Sequence, residues 1–184
     1  MTADPTEGRS TVLETERLLL RLLTTGDLDH LAALYRDPDV RRYFPEGTLT
    51  YDQTREELQW TITVHYRRHG FGLWATVLKE TGAFVGRCGL LSAEIDGRPE
   101  VEVAYLLDRE HWGRGLGSEA ARGIVDHAFA SLPVDRLVSM FEPANRASRG
   151  VATAVGMTPF REGYVDAYGV SDVYAIRRPR APAG

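Results

Sequence analysis

The chain has 184 residues, 43% hydrophobic and 26% charged, with a formal net charge of −4. At roughly 150 residues per domain this length fits one domain, and the composition excludes a mainly disordered, fibrous or collagen-like chain. No apolar run approaches the roughly 18 residues of a membrane span and Met1–Ser10 has no apolar signal core, so the expectation is a cytoplasmic protein without membrane contact.

The negative balance gives the surface as a whole no reason to bind nucleic acid directly. Among the 22 basic residues, 21 are arginine and Lys79 is the one lysine. Planar, permanently charged forks of this kind suit phosphate and carboxylate. Cys88 is the single cysteine, which excludes an intrachain disulfide and a cysteine metal cluster. Its apolar strand setting reads as a buried, inert thiol.

Residues 1–12 are small, polar and charged without periodicity and read as a flexible N-terminal segment; 13–178 read as a single domain and 179–184 as a flexible tail. Glu16–Leu23 is a Leu-rich first strand. Thr25 or Asp27 then caps a helix in which Leu28, Leu31, Ala32, Leu34 and Tyr35 keep helical spacing until Asp37-Pro38 interrupts it. Thr50 and Gln53 form a capping-box pattern ahead of Leu58, Ile62 and Tyr66, and Gly70 stops a helix over about 51–69. Strand-like segments follow at 71–79, 83–91 and 99–107, separated by Glu80-Thr81-Gly82 and by Asp96-Gly97, and predict an antiparallel meander.

Apolar residues from Ala120 to Phe129 occupy one stripe of a helix over 117–131. Arg136–Phe141 is a further strand, a short helix runs from about Asn145 to Val155 and ends at Gly156, and strands near 158–164 and 170–177 close the domain. Only the unit from residue 99 to 141 reads as a parallel strand–helix–strand crossover, so the fold class is α/β of the α+β kind with a mixed, mostly antiparallel twisted sheet. About six or seven strands and about four helices are expected.

Gly113, Gly115 and Gly117 lie between the third meander strand and the following helix. Glycines there allow a tight turn and close approach of a ligand, while the helix start offers unpaired N–H groups and partial positive charge. That combination is an anion site, most naturally for phosphate. Arg114 can reach over the same anion, with Arg122 about two helical turns further on. The dinucleotide fingerprint fails on spacing, because Ser118 stands sixth from Gly113 and Ala120 sixth from Gly115; the Walker-type loop fails for want of a lysine.

The run Glu102-Val103-Ala104-Tyr105-Leu106-Leu107, followed by His111-Trp112-Gly113-Arg114-Gly115-Leu116-Gly117-Ser118-Glu119-Ala120, resembles the acyl-CoA-binding motif of the GNAT superfamily of N-acetyltransferases. Pro143-Ala144-Asn145-Arg146-Ala147-Ser148, then Val155-Gly156-Met157, and the opening Glu14-Thr15-Glu16-Arg17-Leu18-Leu19-Leu20-Arg21, are similar to the branch related to RimJ and RimL, which acetylates N-terminal α-amines of ribosomal proteins. The match in element order covers about 13–178. Where the superfamily has Gln or Arg before the first glycine, this chain has Trp112, as in that branch; where many relatives place a catalytic tyrosine seven residues after the Asn, it has Ala152.

The resemblance implies the GNAT fold, acetyl-CoA as co-substrate with no metal, and transfer of acetyl to a primary amine by direct attack in a ternary complex. It also implies that Gly113, Arg114, Gly115, Leu116, Gly117 and Ser118, with Trp112, hold the pyrophosphate end. Tyr105, Leu106 and Leu107 would pair with pantetheine, and Asn145 would bond the pantetheine arm. Glu102 is the implied general base, and Ser148 a candidate support for the departing thiolate. Read without the motif, Glu102 is a solvated strand glutamate, and Asn145 and Ser148 are helix caps. The acceptor is a protein N-terminus or a small-molecule amine; Tyr43, Phe44, Trp60, Tyr164 and Tyr168 lie in segments that flank the acceptor side in relatives, although each by itself reads as core or loop packing, and Glu94, Asp96 and Asp166 could attract a cationic amine. A non-catalytic acyl-CoA-binding sensor or partner module is the alternative. His65 and His69, four apart, read as a solvent-facing pair, and the oligomeric expectation is monomer or homodimer.

Overall fold

The computed structural model describes residues 10–167 and 169–179; Tyr168 and the terminal residues 1–9 and 180–184 lie outside the described residues. The elements in chain order are strands β1 (Thr11–Glu14) and β2 (Leu18–Leu22), helices α1 (Leu28–Arg36), α2 (Tyr51–Trp60) and α3 (Tyr66–His69), strands β3 (Leu73–Leu78), β4 (Phe84–Ile95) and β5 (Arg98–Leu107), helix α4 (Leu116–Ser131), strand β6 (Arg136–Phe141), helix α5 (Arg146–Ala154), and strands β7 (Thr158–Asp166) and β8 (Gly169–Arg177). They form one eight-stranded sheet in the order β1-β2-β3-β4-β5-β6-β8-β7. Every neighbouring pair is antiparallel except β5 and β6, as the single predicted crossover requires.

Eight strands replace the expected six or seven. The additional one is β1, which takes in Thr11 and Val12 from the segment the sequence leaves flexible and pairs Leu13 with Leu20 of β2. Four residues are too few to show a period. The second difference is length, since β4 runs on to Ile95 instead of stopping at 91. Asp96 and Gly97 have φ of 52° and 72° and join Ile95 to Arg98 as a two-residue hairpin. A turn with both central residues at positive φ matches the twist of long strand arms, and those arms therefore stay paired to their tips.

The helices bury their stripes on opposite faces of the sheet. On one face α4 packs Ala120, Ala121, Ile124 and Ala128 against Leu18, Leu20, Trp74, Cys88, Leu90 and Val103, with Ala152 of α5 in the same cluster. The small residues of α4 let the helix lie close to the sheet. On the other face Leu31, Leu34 and Tyr35 of α1 and Leu58 of α2 cover Leu23, Leu73 and Ala75. Cys88 is fully buried, as expected, and burial raises its thiol pKa.

Local signals place the ends. The capping box at the start of α2 is formed in both directions, Gln53 N–H donating to Thr50 Oγ1 at 3.2 Å and Thr50 N–H to Gln53 Oε1 at 2.8 Å. Of the two expected caps, Asp27 stands at the N-cap of α1, and the reciprocal box is completed one turn earlier by Thr24, whose N–H donates to Asp27 Oδ2 at 2.8 Å. Asp27 also receives both ends of the Arg21 guanidinium, at 2.8 and 2.7 Å, in a pair shut away from water.

The helix expected over 51–69 contains a π turn at Thr61–His65 between α2 and α3, so α2 and α3 form one continuous body and four helical bodies flank the sheet. The wider turn shifts the helical phase. His65 consequently points inward, buried among Trp60, His69 and Phe71, with Nδ1 3.1 Å from the Phe71 carbonyl. The solvent-facing His65–His69 pair is thereby corrected. None of the helices among the described residues is long and apolar enough to cross a membrane.

Candidate functional site

Two cavities meet where the sheet splits. Parallel pairing joins β5 and β6 at Glu102 and Val138. Past that pair no ladder connects the C-terminal halves, and the gap is lined by Tyr105 and Leu106 on one side and by Ser139 and Met140 on the other. Tyr105 spans the floor of the gap: its hydroxyl donates to the Ser148 carbonyl at 2.8 Å and lies 3.4 Å from Ser139 Oγ. The phenol ties β5 to α5 across the opening.

The first cavity, of about 790 Å³, lies over the glycine turn. Gly113 and Gly115 have φ of 71° and 75°, a conformation that costs other residues roughly 1–2 kcal/mol. It turns the chain so that α4 starts at Leu116 with its axis directed at the cavity floor. Glu119 N–H is the first to find an intrahelical acceptor, the Gly115 carbonyl at 3.0 Å. The N–H groups of Leu116, Gly117 and Ser118 precede it and are the unfilled donors of a helix start. Asn145 enters the cavity from the start of α5, where Oδ1 accepts from Ser148 N–H at 3.0 Å. The cap occupies its oxygen and leaves the amide N–H donors.

Of the residues the sequence singles out for this side, Tyr105, Leu106, Leu107, Trp112, Gly113, Gly115, Leu116, Gly117, Ser118 and Asn145 all line the first cavity. Arg114 is not among its lining residues, and its carbonyl instead accepts from Arg17 Nη1 at 3.0 Å. Arg122 reaches the Ala154 carbonyl at the end of α5 and not the turn. What holds the turn is a clamp that sequence reasoning missed. Glu119 accepts from Arg17 N–H at 2.7 Å, from Arg17 Nε at 2.6 Å and from the Thr15 hydroxyl. Burial pushes the Glu119 carboxyl up, but these hydrogen bonds and the Arg17 charge outweigh it and hold the group below its ordinary value.

The second cavity, of about 580 Å³, opens on the other side of the split. Glu102 lines it, while Asn145 and Ser148 line both cavities. Alternation along β5 sends Val103 into the α4 core and Glu102 to the opposite face. Its neighbour Glu100, on that same face, is engaged by Arg136 in an ion pair, which leaves Glu102 as the acid that β5 turns to the gap. Loss of hydration pushes the Glu102 carboxyl up to about 7, with Asp166 adding to the rise and the Met140 N–H, 3.4 Å away, and the Arg87 charge opposing it. Such a group holds and releases a proton near neutrality.

Tyr43 and Phe44 line this cavity as expected, delivered by the α1–α2 connection. Others do not. Trp60 lies in a separate cavity against His65, the Tyr164 hydroxyl accepts from Asp96 N–H at 3.4 Å, and Asp96 pairs with Arg161. Glu94, Asp96 and Asp166, expected to attract a cation here, are not among the lining residues; the acids that line the cavity are Glu46, Glu102 and Glu142, and with them stand two cations absent from the sequence expectation, Arg42 and Arg87. The available signal for Arg87 was a lone charged residue in the apolar run from Phe84 to Leu91.

Comparison with known proteins fits this geometry. The acetyltransferase (GNAT) domain family matches residues 17–158. The protein YkkB of Bacillus subtilis (strain 168) is 35% identical over 148 residues, covering 80% of this chain and 85% of that one. The crystal structure of an acetyltransferase from Agrobacterium tumefaciens str. C58 superposes with a TM-score of 0.76 at 29% identity, covering 90% of this chain and 94% of that chain. The fold is shared with RimL, the ribosomal L7/L12 α-N-protein acetyltransferase solved with coenzyme A, at a TM-score of 0.76 and 18% identity over 91% of this chain and 98% of that one, in keeping with the resemblance to the RimJ and RimL branch. With its match to the family running from β2 into β7, the chain belongs to the GNAT acetyltransferases and is an acetyl-CoA-dependent N-acetyltransferase.

Proposed function

We propose that this enzyme acetylates a primary amine by direct attack in a ternary complex, with acetyl-CoA in the first cavity, the amine in the second and Glu102 as general base. One observation carries the reading: the two cavities share Tyr105, Leu106, Asn145 and Ser148 at the split between β5 and β6, and Glu102 stands on the amine side of that junction. The N–H groups of Leu116, Gly117 and Ser118 receive the pyrophosphate, whose charge the α4 start favours. The edge of β5 freed by the split offers main-chain groups to pantetheine, and the Asn145 amide donates to the same arm.

The amine arrives largely as ammonium and must lose a proton before its nitrogen can attack. Glu102, ionised above a pKa of about 7, takes that proton directly or through one water. A C–N bond forms at the thioester carbonyl, the C–S bond breaks, and coenzyme A departs as a thiolate that takes up the proton shed by the new amide nitrogen and is supported by the hydroxyl of Ser148, on the wall of both cavities. Cys88 is buried in the α4 core, which accords with a route without an acyl-enzyme.

The test is thiol release from acetyl-CoA with a mixed set of amines and N-terminal peptides, alongside calorimetry of coenzyme A. Binding of the coenzyme together with amine-dependent thiol release supports the reading. Binding with thiol release no faster than in buffer contradicts it.

A further inference from the structure

We propose that the amine acceptor carries a carboxylate and that Arg87, in the wall of the acceptor cavity, is its receptor, a specificity that rests on the acetyl-transfer reading for its amine end. The ladder between β4 and β5 pairs Arg87 with Leu106 and Leu91 with Glu102, and directly opposed residues share a face. Arg87 and Glu102 therefore point into the same layer. Of the three pairs between them only Gly89 and Ala104 share that face, so no bulky side chain of these strands divides them.

A guanidinium only 6% exposed ordinarily has its donors filled, because a buried unpaired charge is costly. Arg87 does not. Its Nε donates to the Tyr35 hydroxyl at 2.8 Å, and that hydroxyl donates to Glu57 Oε1 at 2.8 Å. This relay fixes the fork and balances its charge from behind. The N–H groups on Nη1 and Nη2 have no acceptor among the described residues, although the residue lines the cavity. The neighbouring Arg41 differs: it is equally buried, but its Nε donates to the Gly47 carbonyl at 2.7 Å and Glu46 lies 3.5 Å from Nη2. Each arginine is held through Nε, but Arg41 has a carboxylate of the protein within ion-pair distance of its fork, whereas the Arg87 fork has none among the described residues.

The matching ligand is a carboxylate, which takes a guanidinium fork through two parallel hydrogen bonds. The acids lining the cavity are Glu46, Glu102 and Glu142; Glu46 is turned to Arg41, and Glu102 reaches toward β6 through the Met140 N–H. The cavity is thus bipolar, acidic at the split and cationic at Arg87, with Arg42 adding a second, solvent-exposed charge at its rim. Four strand residues separate the two positions, about 13 Å along the sheet, and two long side chains shorten that span to the scale of one small amino acid or a close relative. A polyamine would bring a second ammonium against Arg87, and a protein N-terminus without an acidic side chain beside it would bring no charge to fill it.

The test uses the intact enzyme with coenzyme A bound and, as probes, the twenty amino acids, their carboxamides, phosphoethanolamine, spermidine and a C-terminally amidated hexapeptide. Calorimetry reads binding and thiol release reads turnover. At least one amino acid is expected to bind 30-fold or more tightly than its own carboxamide, and R87Q to bring that acid-over-amide ratio close to one while coenzyme A affinity is retained. Because the ratio is read first in the wild type, poor folding of R87Q leaves the inference falsifiable, and R87K, which keeps the charge without the fork, is expected to restore only part of it. Selective binding without turnover supports the receptor and contradicts the transfer reading. Equal binding of acids and amides, preference for spermidine, phosphoethanolamine or the peptide, or an unchanged ratio in R87Q overturns the inference.

Discussion

The two cavities that meet at the split, proposed for coenzyme and for acceptor, are built from different materials. The first is largely main chain: positive-φ glycines, the open end of α4 and the freed edge of β5. The second is side chain, gathered from the α1–α2 connection and from β4, β5, β6 and β8. A backbone site accepts any ligand with the right phosphate geometry and tolerates change in most of its side chains. A side-chain site changes its ligand with one substitution. Within one superfamily a fixed coenzyme and a variable acceptor follow from that difference.

Mutations sharpen the contrast in order of expected effect. Glu102→Gln removes the proposed base and is expected to lower kcat by about 10²–10⁴-fold with the Kd for coenzyme A unchanged, read by thiol release and calorimetry. Asp27→Ala leaves the Arg21 charge buried without its carboxylate partner. It is expected to cost about 3–5 kcal/mol, seen as a Tm lower by on the order of 10 °C. Gly115→Val puts a β-branched residue at a φ of 75° and costs about 1–3 kcal/mol, expected as a roughly ten- to hundred-fold weaker Kd for coenzyme A with the acceptor preference intact. Asn145→Ala removes the α5 cap for about 1 kcal/mol, a Tm change of roughly 2–4 °C, and affects both cavities because the residue lines both.

The same division explains what was legible in the sequence. The glycine turn announced itself, since backbone conformations of this kind select glycine, and the Asp96-Gly97 hairpin was readable for the same reason. The crossover from β5 through α4 to β6 followed from periodicity and from the length between strands. By contrast β1 was too short to show a pattern, and the inward turn of His65 depended on a π turn that periodicity does not encode. Arg17 and Glu119 are 102 residues apart, and their clamp exists only once β1, β2 and α4 have packed. Arg87 was visible only as a break in an apolar run, and its vacant fork became apparent when Tyr35 and Glu57 were seen to hold it from another layer.

Glu102 joins the two regions, and its protonation offers the most direct measurement. A base whose pKa is pushed up to about 7 is inactive when protonated, so kcat/KM of the wild type should rise with pH through about 7 and level off above it. Because the folded pKa lies above the unfolded one, the ionised carboxylate destabilises the fold at high pH. Glu102→Gln should therefore be at least as stable as the wild type at pH 8, which separates lost chemistry from lost folding. The account predicts that the rise through about 7 disappears in Glu102→Gln while the variant remains folded and binds coenzyme A. An identical pH profile in both proteins, at comparable rates, would contradict it.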